Sequence, residues 1–313
     1  MKPKVLILGC GAIGGYFGGR LLQAGIDVTF LVREQRQDML QDNGLFIRSP
    51  YGDALLKVNT LTKATLNKTF DLILLSCKSY DLDDAIETIR PAVGNKTLIL
   101  PLLNGLSHFP VLDKQFNIER VLGGFCYLSV TMNEKGHIHH LSNSHTLTIG
   151  ARHSSQSIWL KLFREMLSSA NFDLRISDDI YADLWSKYIF LCAAAAANCL
   201  MHGSIGSIMK TQFGLQVITE ILEECHTVAN ANGYPPMEET RQGALQQLTE
   251  NDSPFETSMY KDMKLKRRTE FQHIIGDMIQ KARAAGIKTP YLIAASTHLE
   301  VYETSLESSQ KPL

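Results

Sequence analysis

"KVLILGCGAIGGYFGGRLLQAG", residues 4–25, decides the fold. It opens on an apolar run, KVLILG (4–9), passes glycines 9, 11 and 14, and continues as AIGGYFGGRLLQAG (12–25), which has helical periodicity and stops on Gly25. A strand without polar alternation is buried on both faces, the condition of a parallel sheet covered by helices. Between such a strand and a helix each glycine has a task. Gly9 makes the tight turn, Gly11 lets a pyrophosphate approach the backbone, and Gly14 lets helix and strand pack closely. The phosphates of a dinucleotide would then lie on the backbone of Gly9, Cys10, Gly11, Ala12, Ile13 and Gly14, at the positive end of the helix. A merely tight turn is the competing reading, and the placement between first strand and first helix weighs against it.

Outward from this unit the strand signal repeats in DVTFLVR (27–33), DLILLSCK (71–78) and KTLILPLLNG (96–105), with helices between. That is a repeated βαβ pattern. Within 44–62 two short alternating runs flank PYGD, which reads as an inserted hairpin. Strand signals continue through RVLGGFCYLSVT, HIHHL and TLTIG between 120 and 150 and end at NFDLRIS (171–177); beyond it the pattern is helical almost throughout. The expected fold class is α/β: an N-terminal Rossmann-type doubly wound sheet over residues 1–174, followed by an all-helical C-terminal domain over 175–313.

Bulk properties agree. With 313 residues, 44% hydrophobic and 20% charged, the chain can bury two cores. A formal net charge of −1 offers nucleic acid or an anionic membrane no basic excess, and KLKRR (264–268) is too short to change that. No apolar run reaches about 18 uncharged residues, the length of a membrane span; the nearest, 188–201, reads as a buried core helix. Cysteines 10, 77, 126, 192, 199 and 225 form no CxxC pair and follow no secretory pattern, so reduced thiols in a cytoplasm are expected. His202, His226 and HIHHL (137–141) lack metal-ligand spacing, and no metal site is expected. The apolar C-terminal helices suit a homodimer and burial against their own core equally well.

Candidate functional residues lie where open α/β sheets bind ligands, at the carboxyl ends of strands. Arg33 ends the second strand, where an acidic residue would take a ribose 2′-hydroxyl and an arginine fits a 2′-phosphate, so NADPH/NADP+ is the expected cofactor. The competing reading gives the ribose to Glu34. Lys78 and Asn104 end later strands and face dinucleotide or substrate on this reading. Lys187 is the one charge in LWSKYIFLCAAAAANCL (184–200). Desolvation draws an ammonium's pKa towards neutrality, which suits proton donation. A snorkelling lysine with its head in water is the alternative.

The whole arrangement resembles the ketopantoate reductase (2-dehydropantoate 2-reductase) family over nearly all of the chain. The motifs that carry the resemblance are GCGAIGGYFGGRL with LVR after it, CKSYD, LLNG, LWSK and the C-terminal SMYKDMKLKRRTEFQHIIG…ARAAGIKTP. The resemblance implies an NADPH-dependent enzyme in which Lys187 polarises the 2-oxo group and donates the proton. Glu270 would organise the site beside it, touching both chemistry and cofactor, and Asn104 would serve nicotinamide and substrate. Ser258 and Asp262 would complete the substrate set. The implied partner is a small-molecule 2-oxo acid.

Two departures bear on substrate. Ketopantoate-specific members carry asparagine four and eight residues after the lysine, where this chain has Leu191 and Ala195. Asn198, the next polar residue on that helical face, lies roughly 16 Å from Lys187. Gln272 stands where an acidic residue is common. The leading expectation is reduction of ketopantoate for pantothenate synthesis. The alternatives are a bulkier or more apolar 2-oxo acid, an opine- or imine-type dehydrogenase, or a dinucleotide-binding protein without turnover.

Overall fold

In the computed structural model, which describes residues 3–310, β1 (Lys4–Leu8) passes through the glycine turn into α1 (Ala12–Gln23). Gly9 takes φ +84°, a left-handed conformation that a side chain would strain, and its amide donates to the Leu31 carbonyl at 2.9 Å. The helix stops because Gly25 (φ +77°) and Ile26 donate back to the Leu22 and Leu21 carbonyls.

There follow β2 (Asp27–Leu31), α2 (Glu34–Asn43), β3 (Leu45–Arg48), β4 (Ala54–Leu56), β5 (Asn59–Leu61), β6 (Phe70–Leu75), α3 (Leu82–Ile89), β7 (Val93–Pro101) and α4 (His108–Phe116). Then come β8 (Gly123–Met132), β9 (Ile138–Gly150), α5 (Ser157–Leu167) and β10 (Asp173–Ser177). The first sheet is parallel, in the order β5-β2-β1-β6-β7. From β1 the winding goes first to β2 on one side and later to β6 on the other, the reversal at which such sheets bind ligands. This is the expected Rossmann-type sheet.

The second sheet runs β10-β9-β3-β4, with β8 also paired to β9. The expected hairpin is β3 against β4, but β5 leaves it to extend the parallel sheet beside β2. HIHHL and TLTIG form one strand, β9, because β8 pairs along nearly its full length.

α1 packs on both sheets, which explains its glycine pairs. A Cβ on Gly18 would fall 2.6 Å from the Phe30 ring on β2, whereas one on Gly15 or Gly19 would fall 2.2 Å from Ile138 on β9 or 2.5 Å from Ile47 on β3. Any larger side chain would push one layer away and open the core at a cost of about 1–3 kcal/mol.

Contacts divide the chain into two units: residues 3–103 with 108–180, and 104–107 with 181–310. The first reaches past the expected 174 because β10 pairs with β9 as far as Ser177, and Ile180 fills the space against Gly123 and Gly150. The second is helical among the described residues: α6 (Ile180–Met201), which starts on the last residue of the first unit, α7 (Ile205–Met209), α8 (Gly214–Ala231), α9 (Glu238–Leu248), α10 (Ser258–Lys264), a π-helical turn (Gln272–Gly276), α11 (Asp277–Ala284) and α12 (Pro290–Gln310).

Residues 193–197 of α6, all alanine, are buried in one core with Ile218, Ile221 and Leu222 of α8 and with Leu292 of α12. Each fully buried Leu or Ile there contributes about 1.5–3 kcal/mol. Among the described residues α6 alone has the length and hydropathy of a membrane span, yet 67% of its most apolar window is buried. It is the core helix expected from 188–201.

Candidate functional site

Arg33, the glycine loop and Lys78 follow β2, β1 and β6, three adjacent parallel strands, so the first unit gathers them at one sheet edge. Gly11 caps α1 without a side-chain hydrogen bond, and a Cβ built on it meets nothing within 4 Å. On Gly14 a Cβ would fall 2.3 Å from Ser76 Oγ and 2.6 Å from the Gly9 carbonyl. Space therefore opens in front of the loop and closes behind it. With the N–H groups of the first turn lacking side-chain partners at the positive helix end, the loop fits a pyrophosphate.

Ala12 and Ile13 are half-buried on that first turn. The Cys10 thiol is buried, and burial pushes its pKa up to about 11 against the opposing pull of Arg36. It stays protonated and offers a ligand only its backbone. Arg36 braces the loop, donating from Nε to the Cys10 carbonyl at 3.1 Å and from Nη2 to the Gly136 carbonyl at 3.0 Å. Neither that role nor its long-range partner was visible from spacing.

Arg33 caps α2 with its side chain 83% exposed, free to swing to a ligand, and its Nη2 lies 4.0 Å from Asp81 Oδ1. The Asp81 amide donates to the Lys78 carbonyl at 3.0 Å, so the turn carrying half-buried Lys78 also brings a carboxylate beside Arg33. That carboxylate is absent from the expected residue set.

In the second unit half-buried Lys187 donates from Nζ to Asn104 Oδ1 at 3.3 Å, joining two residues expected to work together. Asn104 begins the tetrapeptide Asn104–Ser107, whose Gly105 takes φ +77°. Ser107 Oγ lies 2.7 Å from His273 Nδ1. Burial holds the His273 pKa below its ordinary value, against the opposing carboxylates of Glu270 and Asp277 and the Asn104 carbonyl, with Lys281 lowering it further.

Glu270 is buried, and its carbonyl accepts the amides of His273 and Ile274, each at 3.1 Å. In the π-helical turn that follows, the Ile274 carbonyl lies 2.7 Å from the Tyr188 hydroxyl, and Asp277 Oδ2 is 2.9 Å from that same hydroxyl. Tyr188 is fully buried, and burial raises its pKa well above the usual value, so it remains a donor. The residue next to Lys187 is thus bonded into the turn that carries His273. Such π-turns are frequent at functional sites. Ser107 and His273 were not singled out from sequence, although His273 sits one helical turn after Glu270.

Ser258 is exposed on the first turn of α10 and Asp262 is half-buried on the same helix. Asp262 uses its backbone carbonyl to close the helix end, accepting the Arg267 amide at 2.9 Å. The two positions that lack the asparagines differ in surroundings. Leu191 is half-buried, but Ala195 is wholly buried in the helical core, because that side of α6 meets other helices. Gln272 is exposed. Asn198 is structural: its Oδ1 accepts the Thr257 amide at 2.9 Å and its Nδ2 donates to the Gly203 carbonyl at 2.8 Å.

The sequence matches the family described as Ketopantoate reductase PanE/ApbA over residues 5–154, and that family's C-terminal domain over 179–303. It is similar to the uncharacterized oxidoreductase YkpB of Bacillus subtilis, 32% identical over 300 residues that cover 96% of this chain and 99% of that one. It is also similar to 2-dehydropantoate 2-reductase of Pyrococcus horikoshii, 28% identical over 292 residues, covering 92% and 93% of the two chains. In fold it is similar to D-mandelate dehydrogenase solved with NADH and anilino(oxo)acetate, with TM-score 0.88, 22% identity and 97% and 99% of the chains covered.

Proposed function

The chain belongs to the ketopantoate reductase family of nicotinamide-dependent oxidoreductases, and on that premise we propose that it reduces 2-dehydropantoate to pantoate with NADPH, in the cytoplasm, for pantothenate synthesis. The observation that carries the reading is the Lys187 ammonium held 3.3 Å from the Asn104 amide oxygen. Reduction of a 2-oxo acid consumes one hydride and one proton, and NADPH, when bound, supplies the hydride to C2. The chain's own residues supply the rest. Lys187 places a positive charge at the carbonyl oxygen and gives it a proton as negative charge develops there. Asn104 orients that ammonium, and Glu270 with Ser258 and Asp262 completes the substrate side. On the nucleotide side the Gly9–Gly14 loop takes the pyrophosphate, while Arg33 and Lys78 offer cations to the 2′-phosphate.

A second reading keeps the chemistry and changes the substrate to a more apolar 2-oxo acid. Leu191 in place of an amide favours it, as does the likeness in fold to an enzyme solved with anilino(oxo)acetate. One assay separates the readings: oxidation of NADPH, then NADH, followed at about 340 nm with 2-dehydropantoate and a panel of other 2-oxo acids. Turnover with 2-dehydropantoate far above the panel supports the first reading. Preference for a bulkier apolar acid transfers the function to the second. Dependence on an added amine would indicate an opine- or imine-type dehydrogenase, and cofactor binding without any turnover would leave a dinucleotide-binding protein.

A further inference from the structure

We infer that His273 is a positioning residue that sets Asn104 against Lys187 by holding the Asn104–Ser107 loop at Gly105 and Ser107. For its catalytic consequence the inference rests on the reductase reading. The loop leaves the end of β7 and turns on Gly105, where a Cβ would fall 3.0 Å from the His273 carbonyl and 3.2 Å from its Cδ2. The loop backbone therefore lies directly on His273. The imidazole holds the far end of the loop through Ser107 Oγ, 2.7 Å from Nδ1. Either tautomer of a neutral imidazole can make this bond, since a hydroxyl both donates and accepts.

His273 is itself fixed. Its amide bonds the Glu270 carbonyl at 3.1 Å, and the neighbouring Ile274 carbonyl accepts from Tyr188, the residue after Lys187. The contacts close a ring: Lys187 bonds Asn104, the Asn104–Ser107 loop meets His273 through Ser107, the adjacent Ile274 carbonyl accepts from Tyr188, and Tyr188 continues along the helix backbone to Lys187. Leu106 also packs on the helical core, but it anchors the loop without orienting the Asn104 amide. Removal of the imidazole leaves the amide free to drift from Nζ, and a displacement of about 1 Å is enough to cost on the order of 10²-fold in rate.

The test uses the full-length enzyme with NADPH and the best 2-oxo acid of the panel. His273→Ala is expected to lower kcat by about ten- to a hundredfold with little change in KM for the oxo acid or in NADPH affinity, and His273→Gln, whose amide carries a donor and an acceptor, to recover most of the loss. Asn104→Ala should cost far less in the His273→Ala background than in the wild type, since both changes remove one function. Equal cost in the two backgrounds overturns the inference, as does an unchanged kcat in His273→Ala. Amide hydrogen exchange over residues 104–107 reads the clamp without turnover. It should accelerate in His273→Ala, and unchanged exchange also overturns the inference. If the wild type reduces no oxo acid, the reductase reading fails, while the exchange result still decides the clamp.

Discussion

Lys187 Nζ lies 3.3 Å from Asn104 Oδ1, a bond between residues 83 positions apart in the chain. The long side chain is thereby held in one orientation, which a solvated surface lysine would not be. Lys187→Ala should cut kcat by a factor on the order of 10² or more and leave NADPH affinity intact. Lys187→Arg should not restore activity, because the guanidinium does not give up its proton. Steady-state kinetics with a parallel fluorescence titration of NADPH checks both. Loss of affinity with normal turnover would refute the assignment.

The nucleotide preference turns on Arg33 and its neighbour. Asp81 Oδ1 lies 4.0 Å from Arg33, so the site proposed for a 2′-phosphate carries a carboxylate as well as a cation. Arg33→Ala should weaken NADPH more than NADH. Asp81→Asn should act in the opposite sense, tightening NADPH selectively by up to about fivefold, since exposed charge pairs contribute up to about 1 kcal/mol. The effect should shrink as salt is added. Equal changes for both nucleotides would remove Arg33 and Asp81 from the 2′ position.

Two glycines of one loop should fail differently. Gly14→Ala drives a methyl against the Gly9 carbonyl, a backbone atom that cannot rotate away, so the apo protein should lose about 1–3 kcal/mol and bind NADPH poorly. Gly11→Ala meets nothing within 4 Å and keeps an extended backbone of φ −83°, so the apo protein should melt as the wild type does. Its methyl would stand where the pyrophosphate is proposed to approach. A wild-type melting curve with lost NADPH binding is the expected signature of Gly11→Ala, and unimpaired binding would move the pyrophosphate elsewhere.

Acid should destabilise the first unit through two buried histidines. His145 Nδ1 lies 2.9 Å from the Tyr16 hydroxyl and its ring stacks on Tyr51 at 3.7 Å, while His140 Nδ1 lies 3.0 Å from Ser49 Oγ. Burial lowers both pKa values below the ordinary 6.5; the Ser144 carbonyl bond of His140 and the Asp173 charge near His145 oppose the shift. A folded pKa below the unfolded one means that the unfolded chain binds more protons over that interval. Stability is then complete above pH about 6.5 and declines as pH falls through the depressed folded values. Melting temperatures should fall between pH 7 and 5. The decline should be shallower in His140→Gln/His145→Gln, whatever that variant's stability at neutral pH, and an unchanged slope would assign the acid loss to other groups.

Features that act over a few residues can be read from the amino-acid order. The unbroken apolar run and its glycines specify a buried strand, a turn and a helix start, because hydrophobic period and backbone freedom are local properties. Gly25 as a stop, the hairpin at Tyr51–Gly52, the helical second half and the positions of Arg33, Lys78 and Lys187 were legible for the same reason. Which of these groups meet follows from the folding of distant segments onto one another. Ser107 and His273 touch across 166 positions and Tyr188 and Ile274 across 86, and such pairs leave no periodic trace. Arg36 under the glycine loop, Asp81 beside Arg33 and the extension of the first unit to Ile180 belong to the same class. Ala195 shows the limit most directly. Periodicity assigns it to the face of Lys187, but whether that face meets solvent, substrate or other helices is set by the partners of α6, and helix packing buries it.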